Sequence, residues 1–261
     1  MRKPFMLIMG FGCLVSCHKS EVSPAKGWVW FGTDNPAVYN YVLINANQVV
    51  NKVDSNDFHI NVNAAFLDSS NNTISGVGTL MVNNISISRN VDSTYSFDYG
   101  VQASLNDGLA LYGMNVPISI RGVSELDTVT KTVYLPKRLV HTFSDFPDQL
   151  DLSQNLTLKW DTDANNRWGK VIIQIYYYEA LSHNSDSTLP AHINTVSFTV
   201  PDDGSHTIVS SDLKTFPPKS YIGISIARGT QSESMLPISK KRIFYFSNSS
   251  ASTPPVLVSS N

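Results

Sequence analysis

Apolar and polar residues alternate with a period of two through much of the chain, which is the pattern of half-buried β-strands. Phe58, Ile60, Val62, Ala64 and Phe66 share one parity, while His59, Asn61 and Asn63 fall on the other. Leu80 and Val82, then Ile85 and Ile87, flank Asn83-Asn84. Asparagine tolerates the positive φ of a type I′ turn, so this stretch predicts a two-residue hairpin with Val82 opposite Ile85. Tyr95, Phe97 and Tyr99 form another set, and Val116, Ile118 and Ile120 another. In the second half Leu156, Leu158 and Trp160 oppose Thr157 and Lys159, and after a polar loop come Val171, Ile173, Ile175 and Tyr177. Val196, Phe198 and Val200 run into Pro201-Asp202-Asp203-Gly204, a tight-turn signal. Tyr221 opens a strand buried through Ile222, Ile224 and Ile226, and residues 243–246 supply the last one. No amphipathic helix as long as three turns is evident.

Short strands without intervening helices predict an all-β chain of two consecutive immunoglobulin-like or fibronectin III-like β-sandwiches. A division near 136–139 gives an N-terminal sandwich over 27–137 and a C-terminal one over 138–247, each about the size of an immunoglobulin domain. Residues 248–261, rich in Ser and Pro, are expected to lie loose on the surface. In immunoglobulin order residues 156–160 are strand B, 170–179 strand C, 221–227 strand F and 243–246 strand G. The B–C and F–G loops then share one end, which brings Trp168 near the loop from 228 to 242. Trp160, at core parity, is the expected anchor between sheets. Trp28 and Trp30 share a face and are expected in the first core.

Of the 261 residues, 42% are hydrophobic and 15% charged, enough apolar material for real cores. Nineteen basic against 21 acidic residues, with no basic run beyond Lys240-Lys241-Arg242, give no electrostatic footprint for nucleic acid. Arg2 and Lys3 precede an apolar run at residues 5–15 that is too short to span a bilayer and reads as the core of a signal peptide over residues 1–16. Removing Arg2 and Lys3 from the 19 basic residues leaves 17 against 21 acidic, a mildly acidic mature protein.

The sequence Leu14-Val15-Ser16-Cys17 resembles the lipobox of bacterial lipoproteins. That resemblance implies diacylglyceryl transfer to the Cys17 sulfur, cleavage before it and acylation of the freed amine. Three acyl chains hold far more firmly than one. Residues 17–26 then form a lipidated tether, and His18 after Cys17 is compatible with delivery to the outer membrane. With Cys13 removed and Cys17 lipidated the mature body has no thiol, which excludes disulfides, thiolate metal sites and a cysteine nucleophile. The runs NLTLKWDTDANNRWGKVIIQI, VPDDGSHTI and DLKTFPPKSYIGISIARG are similar to the C-terminal sandwich of small lipoproteins common in the Bacteroidota. GTLMVNNISI and LYGMNVPISIRGVSELDTVTKTVYLPKRL look like their N-terminal domain. These motifs are structural, so the resemblance implies fold and address without chemistry.

No HExxH, GxSxG, P-loop or GxGxxG is present, and Ser211-Asp212-Leu213-Lys214 fits SxxK without its partner motifs. No two of the six histidines have the spacing of a metal pair. Asp161, Asp163 and Asn165 open like a calcium loop, but Asn166 stands where such a loop has Gly and Ile172 where it has Glu, so the metal reading is weak. A carboxylate hydrolase would have to draw on Asp161, Asp163, Asp202 and Asp203, and the adjacent pair in a tight turn diverges. Sugar stacking needs a presented ring. Trp168, beside Asn165, Asn166 and Arg167 in the loop between strands B and C, is the candidate, and Tyr176 and Tyr178 add an aromatic outer face. The packed alternative has Trp168 folded over the open end of the sandwich. The expected function is a non-enzymatic, lipid-anchored binding or scaffolding module of the outer membrane without a cofactor, its partner a glycan or an envelope protein. The alternatives are glycan capture through the Trp168 loop and, behind it, the hydrolase.

Overall fold

The computed structural model describes residues 40–49, 57–66, 78–122, 128–139, 147, 149–190, 195–236 and 240–259. The signal segment, Cys17, the tether, Trp28 and Trp30 lie outside these residues. The first half holds β1 (Asn40–Val49), β2 (Asp57–Ala65), β3 (Thr79–Val82), β4 (Ile85–Ile87), β5 (Tyr95–Tyr99), a short helix α1 (Leu105–Leu109), β6 (Asn115–Arg121) and β7 (Val129–Tyr134). The second holds β8 (Gln149–Leu150), β9 (Leu156–Lys159), β10 (Lys170–Tyr177), α2 (Glu179–Ser185), β11 (Val196–Pro201), β12 (Ser205–Ile208), α3 (Ser210–Leu213), β13 (Tyr221–Met235), β14 (Arg242–Ser252) and β15 (Val256–Val258). The chain is all-β, as its alternation predicts. The β3–β4 hairpin turns on Asn83 at φ 49° and Asn84 at φ 63°, with Val82 opposite Ile85.

One large sheet runs through both halves in the order β11-β10-β13-β14-β1-β2-β5, with β15 beside β13 and β8 beside β15. Its centre is an unusual join: β1 lies parallel to β14, from Asn40 opposite Ile243 to Val49 opposite Ser252. Two smaller sheets, β4-β3-β6-β7 and β12-β9, complete the sandwiches. Side-chain parity places both on the same side of the large sheet. Leu236, Ile243 and Tyr245 join the first core with Val42, Ile44, Ile60, Leu80 and Ile118. Ile222, Ile224, Ile226 and Ala251, on the same side of the same two strands, join the second core with Trp160, Ile173, Ile208 and Phe216. A hairpin can serve two cores because it is long: the 15 residues of β13 reach about 50 Å at the usual rise per residue.

The chain crosses from the first core to the second between Leu135 and Leu139, both buried. The halves are nonetheless not separate, because the last hairpin returns to fill the first core. The stretch expected as an F–G loop from 228 is strand through Met235. The end of the chain is corrected as well. Residues 248–252 finish β14, and after Pro254-Pro255 the chain re-enters the sheet as β15 with Val258 fully buried. The prolines only interrupt the ladder, where their missing N–H is tolerated. Thr253 bridges the break, donating its N–H to the Ile224 carbonyl at 2.8 Å and accepting the Ile224 N–H on Oγ1 at 3.0 Å.

Deleting residues 253–261 removes Val256 and Val258 from the second core. The expected cost is about 3 kcal/mol or more, from two buried valines. It should appear as a lower denaturant midpoint, and an unchanged midpoint would show that the segment does not stabilise the fold.

Candidate functional site

Where the two cores meet, the inward rows of β13 and β14 change from apolar to polar: Arg228 and Thr230 on one strand, Ser247 and Ser249 on the other. Arg228 is completely buried, and its guanidinium carries five N–H donors in a fixed plane. Nη1 donates to the Asp161 carbonyl at 2.8 Å and to the Asp202 carboxylate at 3.1 and 3.2 Å. Nε and Nη2 donate to the Lys137 carbonyl at 3.3 and 3.1 Å, and Nη2 also to the Arg138 carbonyl at 3.0 Å. Asp202 accepts further bonds from Trp160 Nε1 and Asn166 Nδ2, both at 2.9 Å. Beside it, Asp163 accepts the Tyr134 hydroxyl at 2.9 Å, the Lys137 N–H at 2.8 Å and the Asn165 N–H at 3.0 Å. The Tyr134 carbonyl accepts Thr230 Oγ1 at 2.9 Å and Ser247 Oγ at 2.5 Å. Burial first, then the hydrogen bond to Asp163 and its charge, push the Tyr134 phenol up to about 12.

This seam takes up Asp161, Asp163, Asn166 and Asp202 from the residues that sequence alone offers for chemistry. The β9–β10 loop does approach Arg228, as immunoglobulin order requires, through the Asp161 carbonyl. Asn166 is buried with its Nδ2 committed to Asp202 and to the Lys170 carbonyl at 3.0 Å. Asn165 and Arg167 are exposed and Trp168 is half-buried. Tyr176 and Tyr178 lie towards the opposite end of β10, about 23 Å along the strand from Gly169. The six residues therefore make no single site. The two tyrosines pack edge to face at 5.1 Å between centroids, with hydroxyls 3.2 Å apart. The four aspartates do not converge either: Asp202 and Asp163 are turned into the seam, and Asp203 is exposed. Asp161 contributes its carbonyl there, and among the described residues no group of three or more His, Cys, Asp or Glu could hold a metal.

The side of the large sheet facing away from both cores carries a different set. Asn45 and Asn47 of β1 stand opposite Asn248 and Ser250 of β14 on one flank. On the other they stand opposite Asn61 and His59 of β2, and Asn61 stands opposite Asp98 of β5. Towards the second half the rows continue through Ser252 to Ser225 of β13 and Gln174 of β10. A shallow groove of about 370 Å³ runs across six strands here, bounded by Tyr176, Ser225, Ser250, Asn47, Asn61 and Asp98 and also touching His59 and Ser252. Gly223 lets Tyr176 lie down on the sheet, since a Cβ there would meet the ring Cζ at 2.5 Å. Ser250 Oγ donates to Asn47 Oδ1, and Asn63 Nδ2 donates to Asn61 Oδ1 at 2.9 Å. The Oγ of Ser225, 1% exposed, and the Oδ1 of Asn248, 4% exposed, have no partner. Alternation marks His59, Asn61 and Asn63 as a polar face, but nothing local announces that β14 and β13 extend it.

No protein-family model matches the chain, and no curated protein matches it. Among solved structures, one described as "Crystal structure of chicken CNTN1 FN1-FN3 domains" aligns with 84% of this chain at 7% identity and a TM-score of 0.25. The alignment spans 66% of that chain, just under two thirds.

Breaking the buried pair from one side leaves an uncompensated charge, so Arg228→Met and Asp202→Leu should each cost about 3–5 kcal/mol in chemical denaturation. The double variant should cost less than the two losses added, the remainder reflecting the Lys137, Arg138 and Asp161 carbonyls left without donors, and full additivity of the two costs would contradict the pairing. A second expectation concerns alkaline pH. The Tyr134 phenol titrates near 12 when folded and near 10 when unfolded, so the stabilisation is complete below about 10 and is lost as pH rises to about 12. Tyr134→Phe should therefore flatten that part of the stability-against-pH curve, and an unchanged slope would contradict the assignment.

Proposed function

We propose that the chain is a lipid-anchored binding module of the bacterial outer membrane, non-enzymatic, presenting the outer face of its large sheet to a partner. The observation that carries this reading is the division of polar groups between two places. Of the inward groups, Arg228, Asp202 and Asn166 are bonded to each other, Arg228 and Asn166 also to backbone carbonyls, and Asp163 accepts the Tyr134 hydroxyl and the Lys137 N–H. The outward amides and hydroxyls lie together across six strands, bordering a groove. A hydrolase built on Asp202 is disfavoured, because its carboxylate is fixed by Arg228, Trp160 and Asn166 and cannot move a proton to a substrate. A protein without a disulfide that must hold a ligand-binding face still gains from such a seam, which locks two cores into one body.

The lipid anchor rests on the order of charge, apolar run, small residue and cysteine ending at Cys17. No helix among the described residues is long and apolar enough to cross a membrane. Cys17→Ser should accumulate as an unprocessed precursor that takes up no labelled palmitate, whereas the parent chain is labelled and sediments with membranes. Normal processing of the variant would remove the anchor.

A further inference from the structure

Building on the binding module proposed above, we infer that the groove on the outer face of the large sheet is a carbohydrate site and takes a neutral oligosaccharide. The lining decides the class. Asn47, Asn61, Ser225 and Ser250 supply amides and hydroxyls, which donate and accept alike, and Asp98 adds one carboxylate acceptor. Among the described residues no Lys or Arg borders the groove and Asp98 adds a negative charge, which disfavours a phosphate or sulfate even with His59 at the margin. A calcium ion requires six to eight oxygens, and here Asp98 is the one carboxylate among the described lining residues while the amide oxygens of Asn47 and Asn61 already accept hydrogen bonds from Ser250 and Asn63. An extended peptide adds to a sheet by pairing along an edge strand, whereas this groove lies on the face and runs across the strands from β10 to β5. Sugar hydroxyls also donate and accept alike, and neighbouring strands present their side chains at intervals of about 4.8 Å, roughly the length of one sugar ring.

Two further observations point to an absent ligand. Ser225 has its hydroxyl buried against the groove without a partner, and a polar group in that condition destabilises the free protein unless something else bonds it. Tyr176 forms one wall, its ring held down over Gly223 and its hydroxyl tied to Tyr178 at 3.2 Å, which leaves a fixed aromatic surface beside the polar row. This location differs from the Trp168 loop. The Tyr176 end of β10 lies about 23 Å along the strand from that loop, so the two can be separated by mutation.

The test is calorimetric titration of the purified full chain with neutral hexasaccharides of glucose, xylose, mannose and galactose, and with a sulfated oligosaccharide as control. At least one neutral hexasaccharide should bind saturably and the sulfated one should not. Ser250→Trp, which fills the groove, should abolish binding, and Asn61→Ala should weaken it about tenfold. Ser225→Ala should weaken binding while leaving Tm unchanged or raised, because it removes an unpaired buried hydroxyl. A merely structural Ser225 would lower Tm. Trp168→Ala should have no effect. The inference is overturned if no neutral hexasaccharide binds, if binding survives Ser250→Trp with the fold intact, or if binding is lost with Trp168. The titration does not depend on lipid, so a failure here and a failure of palmitate labelling at Cys17 are distinguishable: the first removes the sugar site, the second the anchor.

Discussion

A guanidinium sealed from water at the meeting of two cores constrains everything else in this fold. A buried ion pair seldom adds net stability, since the desolvation of both charges offsets their attraction. Arg228 has a different role. The chain that crosses between the cores presents the carbonyls of Lys137 and Arg138 to the large sheet, and the β9–β10 loop adds that of Asp161. Buried without donors, three backbone acceptors would each cost a hydrogen bond's worth of desolvation. One planar fork with five N–H groups satisfies all three and the Asp202 carboxylate together. A lysine, with three donors on a single atom, could not span them.

The same seam explains where the sequence is readable and where it stops being so. Strands are recognised by apolar residues at every second position, and in β13 that signal holds through Ile222, Ile224 and Ile226. At Arg228 and Thr230 the inward positions turn polar because they face backbone carbonyls at the end of β7 and in the segment after it rather than a core. The strand continues to Met235, yet periodicity ends at Ala227. In β14 the inward row reads Ile243, Tyr245, Ser247, Ser249, Ala251, and the two serines mimic the start of a loose tail. Serine in a turn and serine in a polar seam look identical in one dimension; only the facing loop, more than 100 residues earlier, separates them.

The site follows a similar rule. Local chemistry was legible: the Asn83-Asn84 turn, Trp160 as an anchor of the second core, and the polar parity of His59, Asn61 and Asn63 all stand in the structure. Contiguity was not. The groove exists because β1 pairs in parallel with β14, two strands about 200 residues apart, which sets Asn47 beside Ser250 and Asn45 beside Asn248. No spacing motif encodes such a register. The loop around Trp168 attracts notice for the opposite reason, since its Asp, Asn, Arg and Trp are adjacent in sequence while several serve the seam.

Because both small sheets pack on one side, neither covers the other side of the large sheet, which can be specialised. An outer face needed only for solubility is ordinarily furnished with long charged side chains, especially near sheet edges. Among the described residues the groove has one formal charge, Asp98, set among short amides and hydroxyls. Serine and asparagine lose less rotamer freedom on being ordered than lysine, arginine or glutamate, so a ligand bound against them is opposed by a smaller entropic cost. Leaving Ser225 and Asn248 unpaired works against the stability of the free protein. A face assembled from groups that are easily ordered yet left partly unsatisfied departs from what stability alone would choose, and such departures concentrate where a surface has to recognise something.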